Sequence, residues 1–234
     1  MKSCVLLFSG GIDSSNTLVM LLKENFTVFP LYIDYGQKSL KNELKAVKYF
    51  VRKFKINPLK IVKTNTYKNI FNHPLLSLNE QLEIPTLNAT TSKNFLHFRN
   101  LTFACIAAIY SREVKAQNIA FGFIKKDSFK SFPDTSPDFV MKLNDLLEII
   151  EPNFPIKIVS PGITFSKAEI IEYGIENKIP LAKTYSCYEG ERCFKCESCL
   201  EVMNAFDVLS SKVNIRIINK LNPYKTSFQK HGTR

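Results

Sequence analysis

Ser9-Gly10-Gly11-Ile12-Asp13-Ser14-Ser15 is the stretch that most narrows what this chain can fold into. It follows directly on a continuous apolar run at 5–8 and opens a segment of helical spacing, Ile12–Lys23. Glycines between a strand and a helix let the backbone pass close to an anion. The free N–H groups and the dipole at the helix start favour negative charge there. Ser9, Ser14 and Ser15 add hydroxyl donors, and Asp13 offers a carboxylate to position Mg²⁺ or an attacking group. The Gly-x-x-x-x-Gly-Lys spacing of a Walker loop is absent. The bland alternative is a glycine-rich strand–helix turn capped by serines.

The rest of the first half alternates the two periods. A second apolar run at 27–33 precedes Leu40, Leu44, Val47, Val51 and Phe54, which recur at four- and three-residue steps as one helix face. Further strands are expected at 59–62, 119–123 and 156–159. Helices are expected at 100–114, at 139–150 (on Phe139, Leu143, Leu146 and Ile150) and at 166–177. The last begins with Ser166 and Glu169, a capping box. Residues 64–94 and 125–137 read as loop, the latter as an active-site loop. Strands buried on both faces with helices between them predict an α/β fold, a doubly wound parallel sheet. The expected division is a nucleotide-binding domain over 1–180 and a small C-terminal unit over 181–234, with a helix near 197–209 and an aperiodic basic tail.

Composition then excludes classes. No apolar stretch approaches a membrane span, and the chain runs from Met1-Lys2 straight into a strand-like segment, so the expected location is cytoplasmic. The formal net charge of +11, from 32 Lys+Arg against 21 Asp+Glu, fits an anionic partner, nucleotide or nucleic acid, and equally a surface of solvated lysines. Of the six cysteines, Cys4 and Cys105 sit in apolar runs and read as small buried hydrophobes. Cys187, Cys193, Cys196 and Cys199 form a cluster that suits a metal better than a disulfide framework in a cytosolic chain. Four thiolates satisfy a closed tetrahedral Zn²⁺ site, with Arg192 and Lys195 as neighbouring donors. An iron–sulfur cluster takes the same ligand set.

The turn at 9–15 resembles the signature of the PP-loop N-type ATP pyrophosphatases, and further motifs resemble the 7-cyano-7-deazaguanine synthase family within that class. They are Asp34-Tyr35-Gly36-Gln37, Arg99-Asn100, Pro133-Asp134 with Pro137-Asp138-Phe139, Ser166-Lys167-Ala168-Glu169-Ile170, and Ser186-Cys187-Tyr188 with the cysteine cluster. Together they run from residue 3 to about 209. The resemblance implies a PP-loop fold with a Cys4 zinc knot, and a ligase that adenylates 7-carboxy-7-deazaguanine with ATP and Mg²⁺ before ammonia attacks. It also implies a homodimer. The residues it assigns to ATP are Phe8, Ser9, Gly10, Gly11, Ile12, Asp13, Ser14, Ser15, Asp34, Tyr35 and Gln37. Asp13, Ser14, Lys167 and Arg99 become catalytic, and Arg99, Asn100, Asp127 and Asp134 face the substrate. Each has a bland counterpart: Lys167 a solvated lysine, Arg99 a surface arginine, Asp34 a strand-end cap. No glutaminase segment is visible, so ammonia is expected from solution.

The acceptor side departs from the family pattern. Leu96-His97-Phe98-Arg99-Asn100 stands where the family has V-P-G-R-N, so a turn of glycine geometry must be rebuilt around Phe98. Ile124 replaces an asparagine, and Thr135-Ser136 replaces Cys-Arg. Two further readings therefore stay open. One is a relative that joins the activated base to another amine, on a protein or nucleic acid. The other is a PP-loop tRNA-modifying enzyme carrying an iron–sulfur cluster.

Overall fold

The computed structural model describes residues 2–76, 94–125 and 132–224. Five strands, β1 (Ser3–Leu7), β2 (Thr27–Asp34), β3 (Lys60–Lys63), β4 (Asn118–Ala120) and β5 (Lys157–Val159), form one sheet in the order β3-β2-β1-β4-β5. Every pairing is parallel. The doubly wound sheet expected from the sequence is therefore present. Cys4, Val5 and Leu6 of the central β1 are fully buried, as a strand covered on both faces requires.

Among the described residues eight α-helices accompany the strands: α1 (Ile12–Lys23), α2 (Leu40–Phe54), α3 (Thr66–Ile70), α4 (Arg99–Val114) and α5 (Pro137–Ile150) between them, and α6 (Lys167–Glu176), α7 (Glu197–Ser210) and α8 (Ile215–Leu221) after β5. Helix α2 lays Ala46, Val47 and Phe50 on the sheet, with the Phe50 ring edge-on to Phe8 at 6.1 Å. Helix α6 starts on the expected capping box: Glu169 N donates to Ser166 Oγ at 3.3 Å, and Ser166 N donates to Glu169 Oε2 at 2.7 Å. Satisfying both orphan donors fixes the first turn, and with it the direction of Lys167.

The structure corrects several local expectations. Helix α3 interrupts the stretch read as loop, and α8 was not foreseen; both are too short to give a readable period. Helix α5 buries Leu143 and Leu147, while Leu146 and Ile150 are exposed, because the face turns one residue from the assumed phase. Cys105 is exposed on α4, whereas Cys4 is buried as expected. The anticipated loop at 88–93, Asp127 and the basic tail from 225 lie outside the described residues. Among the described residues no helix is long and apolar enough to cross a membrane.

The chain moves outward from β1 through β2 to β3, then returns to place β4 on the other side of β1. That reversal opens a crevice beyond the carboxyl ends of β1, β2 and β4, the location where ligands dock in open α/β sheets.

Candidate active site and metal centre

A pocket of about 270 Å³ occupies that crevice. Its floor comes from the strand ends Leu7, Phe8, Leu31, Ile33 and Phe121, with Tyr35 and Phe123 just beyond. Ser9, Gly11, Asp13 and Ser14 line one side. Gly10 takes a left-handed φ of +74°, and a Cβ there would lie 2.8 Å from Ala46 Cβ on α2. Only glycine lets the turn sit this close to α2. Ser9 Oγ lies 3.1 Å from Ser14 Oγ and accepts from Gly11 N at 3.3 Å, so two hydroxyls and the Gly11 amide converge on one spot.

The expected ATP-binding residues divide by direction. Phe8, Ser9, Gly11, Asp13, Ser14, Tyr35 and Gln37 line the pocket. Ile12 and Ser15 face the interior, at 1% and 0% exposure. Gly10 supports the turn through its carbonyl, which accepts from Tyr185 N at 2.9 Å. Asp34 closes the end of β2, its Oδ1 accepting from Gly36 N at 3.0 Å. Gln37 is buried and locked: its Nε2 donates to Tyr32 Oη at 2.7 Å and Glu43 Oε2 at 3.0 Å, and its Oε1 accepts from Tyr35 N.

Lys167, 154 positions along the chain from Asp13, places its Nζ 2.7 Å from both Asp13 carboxylate oxygens and 3.8 Å from Glu201 Oε2. The capped start of α6 carries this ammonium to the mouth of the phosphate turn. It is paired with one carboxylate and faces a second, within the same pocket.

Arg99 and Asn100 enter from the start of α4. Burial works against the Arg99 charge, but the hydroxyls of Tyr35 and Tyr188 and the Asp134 carboxyl more than offset it, and its pKa is raised. Burial pushes the Tyr35 hydroxyl up to about 12 in spite of Arg99. Asp134 is raised above the usual carboxylate range by burial, against the pull of Arg99 and Asn100. Asn100 Nδ2 donates to the Asp134 carbonyl at 3.2 Å, while the buried Asp134 Oδ1 has no hydrogen-bond partner among the described residues. The turn before Arg99 is not rebuilt: Phe98 itself adopts φ 60° and ψ 11°, the glycine-like geometry, with 70% of its surface exposed.

The C-terminal segment completes the wall, and sequence reasoning missed most of it. Tyr185, Ser186, Tyr188, Ser198 and Glu201 all line the pocket. Ser186 Oγ accepts from Ile12 N at 3.2 Å, tying the segment to the phosphate turn. Burial, then Glu197 and Glu201, drive the Tyr188 hydroxyl well above its ordinary pKa, so it is a neutral donor. The signal was present in Ser186-Cys187-Tyr188, read there as part of the metal motif alone.

Behind this wall the four cysteine sulfurs lie within 4.8 Å of one another. The distances are 3.6 Å for Cys187–Cys193, 3.9 Å for Cys193–Cys199, 4.0 Å for Cys187–Cys196 and 3.4 Å for Cys196–Cys199. A tetrahedron with metal–sulfur bonds of about 2.3 Å has edges of about 3.8 Å, so the set fits one small ion. A cage of several irons and sulfides would hold its ligand sulfurs further apart. Cys196 N donates to Cys193 Sγ at 3.3 Å, Cys193 N to Cys187 Sγ at 3.4 Å, and Tyr224 Oη to Cys199 Sγ at 3.5 Å. These donors take the place expected of Arg192 and Lys195. Arg192 instead donates to the Thr184 carbonyl at 3.2 Å and lies over the rings of Tyr185 and Tyr224, and Lys195 is exposed.

A serine- and glycine-lined anion turn at the switch point of a doubly wound parallel sheet defines a PP-loop-type nucleotide-binding α/β protein. The family model of the queuosine biosynthesis protein QueC matches residues 3–210. The chain is 34% identical over 214 residues to the 7-cyano-7-deazaguanine synthase of Acetivibrio thermocellus, covering 88% of this chain and 93% of that one. It is 32% identical over 224 residues to the synthase of the same name from Methanobrevibacter smithii, covering 90% and 96%. For that of Prochlorococcus marinus strain MIT 9312 the identity is 33% over 207 residues, covering 85% and 90%. The chain belongs to the QueC family.

Proposed function

We propose that the protein converts 7-carboxy-7-deazaguanine and ammonia to 7-cyano-7-deazaguanine at the expense of ATP. The observation that carries this reading is the Lys167 ammonium, held 2.7 Å from both oxygens of Asp13 at the mouth of the phosphate turn. Positive charge stands beside the place where negative charge develops as pyrophosphate leaves, within reach to stabilise it.

In the first half-reaction a substrate carboxylate oxygen attacks the α-phosphorus, and the bond to the pyrophosphate oxygen breaks. Ser9, Ser14 and the Gly11 amide hold the departing pyrophosphate, and Lys167 moves from Asp13 towards it. Arg99 receives the substrate carboxylate through its planar fork, aligned by Tyr35 and Tyr188. Ammonia then attacks the acyl carbon through its lone pair and loses a proton, and AMP leaves to give the amide. In a second round the amide oxygen is adenylated, and loss of two protons and AMP forms the nitrile.

Mg²⁺, where bound, supplies charge neutralisation on the phosphates, and Asp13 is the carboxylate that would hold it, since such sites need one or two carboxylates beside the phosphates. Zn²⁺ would sit in the Cys187, Cys193, Cys196 and Cys199 cage as a structural cross-link holding Ser186, Tyr188 and Glu201 against the phosphate turn. The test is to incubate the pure protein with 7-carboxy-7-deazaguanine, ATP and ammonium, and to read product mass. ATP consumption with an amide of another amine and no nitrile would transfer the reading to conjugation. No ATP-dependent loss of the acid would sink it.

A further inference from the structure

The outward face of α2 carries only cations. Lys41, Lys45, Lys48, Arg52 and the C-cap Lys55 are all exposed. At 3.6 residues per turn they fall within a sector of about 80° and extend along about 21 Å of helix axis. The one carboxylate of this helix, Glu43, points the opposite way, where its oxygens accept from Tyr32, Gln37 and Ser39. Among the described residues none of the five cations has a carboxylate within ion-pair distance.

This arrangement works against the helix itself. The pairs 41–45, 45–48, 48–52 and 52–55 are like charges at three- and four-residue spacing, which repel across a helix surface. A face that needed only water would interleave acids with its lysines. Flanking groups extend the positive surface: Lys53 on the side of α2, and Lys183, whose Nζ lies 5.9 Å from the centre of the Tyr49 ring.

Three properties select the partner. The cations recur about every 4.5–6 Å along a straight line, a spacing suited to successive phosphates of a polynucleotide strand. The apolar side of α2 is already used against the sheet by Val47 and Phe50, so the helix has none left to insert into a lipid surface. The stripe also lacks the buried aromatic or aliphatic anchor at its centre that a protein interface needs. We propose that the outer face of α2 is a track for the phosphate backbone of a nucleic-acid strand, separate from the nucleotide pocket on its inner side.

The probe is a fluorescein-labelled oligouridylate of about twenty nucleotides, titrated with the full chain by anisotropy at several salt concentrations. Three lost phosphate contacts, each contributing about 0.7 to the slope of log K against log salt, predict roughly 100-fold weaker binding at about 0.1 M salt for Lys45→Gln/Lys48→Gln/Arg52→Gln. The slope should become shallower by about 2. Glutamine is nearly as good a helix former as lysine, so α2 remains intact. The control Lys142→Gln/Lys212→Gln/Lys220→Gln, equal in lost charge, should change affinity less than about threefold. The proposal is overturned if the unaltered chain does not bind the oligonucleotide, if the α2 variant loses no more than the control, or if phosphatidylserine vesicles are bound in its place.

Discussion

Gly122 lies just past the end of β4, behind the phosphate turn. A methyl group there would lie 2.9 Å from both Cα and N of Ser14 and 3.2 Å from the carbonyl carbon of Asp13. Carbon atoms settle at about 3.5–4.0 Å, so the Gly122→Ala contact is short by about 0.6–1.1 Å. The chain on either side of Gly122 is anchored, because Phe121 N donates to Val159 O at 3.0 Å and Phe123 N to Ser160 Oγ at 3.2 Å. The obstructing atoms are backbone and cannot rotate away, so the phosphate turn must give. Overpacking of this kind costs about 1–3 kcal/mol, and a chain of this length loses about 2–4 °C of Tm per kcal/mol. A displacement of about 1 Å at reacting groups costs about 100-fold in rate. Gly122→Ala should therefore lower ATP turnover about 10- to 100-fold, a loss out of proportion to its modest drop in Tm. Gly190→Ala is the control, since a methyl there meets only Lys38 O at 3.5 Å. Turnover and KM for ATP within twofold of the parent in Gly122→Ala would refute the close-approach argument.

Lys167→Ala should reduce turnover by roughly 100- to 1000-fold, the scale for removing a charge-stabilising donor; steady-state kinetics with an unchanged kcat would exclude a role at the phosphate. Metal analysis should find zinc without iron or labile sulfide. Cys196→Ser should release the metal and lower both Tm and turnover, because Ser186, Tyr188 and Glu201 depend on the same cage. Stoichiometric iron in anaerobically purified protein would contradict the sulfur spacing. His73 is buried, its Nδ1 accepts from Leu75 N at 3.2 Å, and burial, with Arg99, holds its pKa below the ordinary value. A lowered folded pKa means its contribution is intact above about 6.5 and is lost as pH falls through the folded value. The Tm of His73→Asn, which keeps an acceptor, should decline less than that of the parent between about pH 7 and 5. Parallel Tm–pH curves would dismiss the effect.

The parts of the site that depend on near neighbours in sequence were legible before any coordinates. The turn at 9–15 is a strand end, two glycines and a helix start in succession, so its geometry is encoded where it stands. The Ser166–Glu169 box likewise fixes its own first turn, and the spacing at 193, 196 and 199 brings three thiols onto one short turn. Phe98 shows the limit of such local reasoning. Intrinsic preference argued that the turn would be rebuilt, yet Phe98 is held at positive φ. Its carbonyl accepts from Thr102 N and Thr102 Oγ1, both at 2.9 Å, in the first turn of α4.

Sequence by itself determined the parallel α/β class, the glycine- and serine-lined turn and the cysteine cluster, because each arises from spacing over a few residues. Tertiary structure alone decided which of these meet. It set Lys167 on Asp13, brought Ser186, Tyr188 and Glu201 round to close the pocket, and turned Ser15 and Ile12 inward while Ser14 faces out. Those contacts join residues more than 150 positions apart, and no local preference encodes them. They follow from the order of strands in the sheet, which is settled only when the apolar faces of all the elements are buried together.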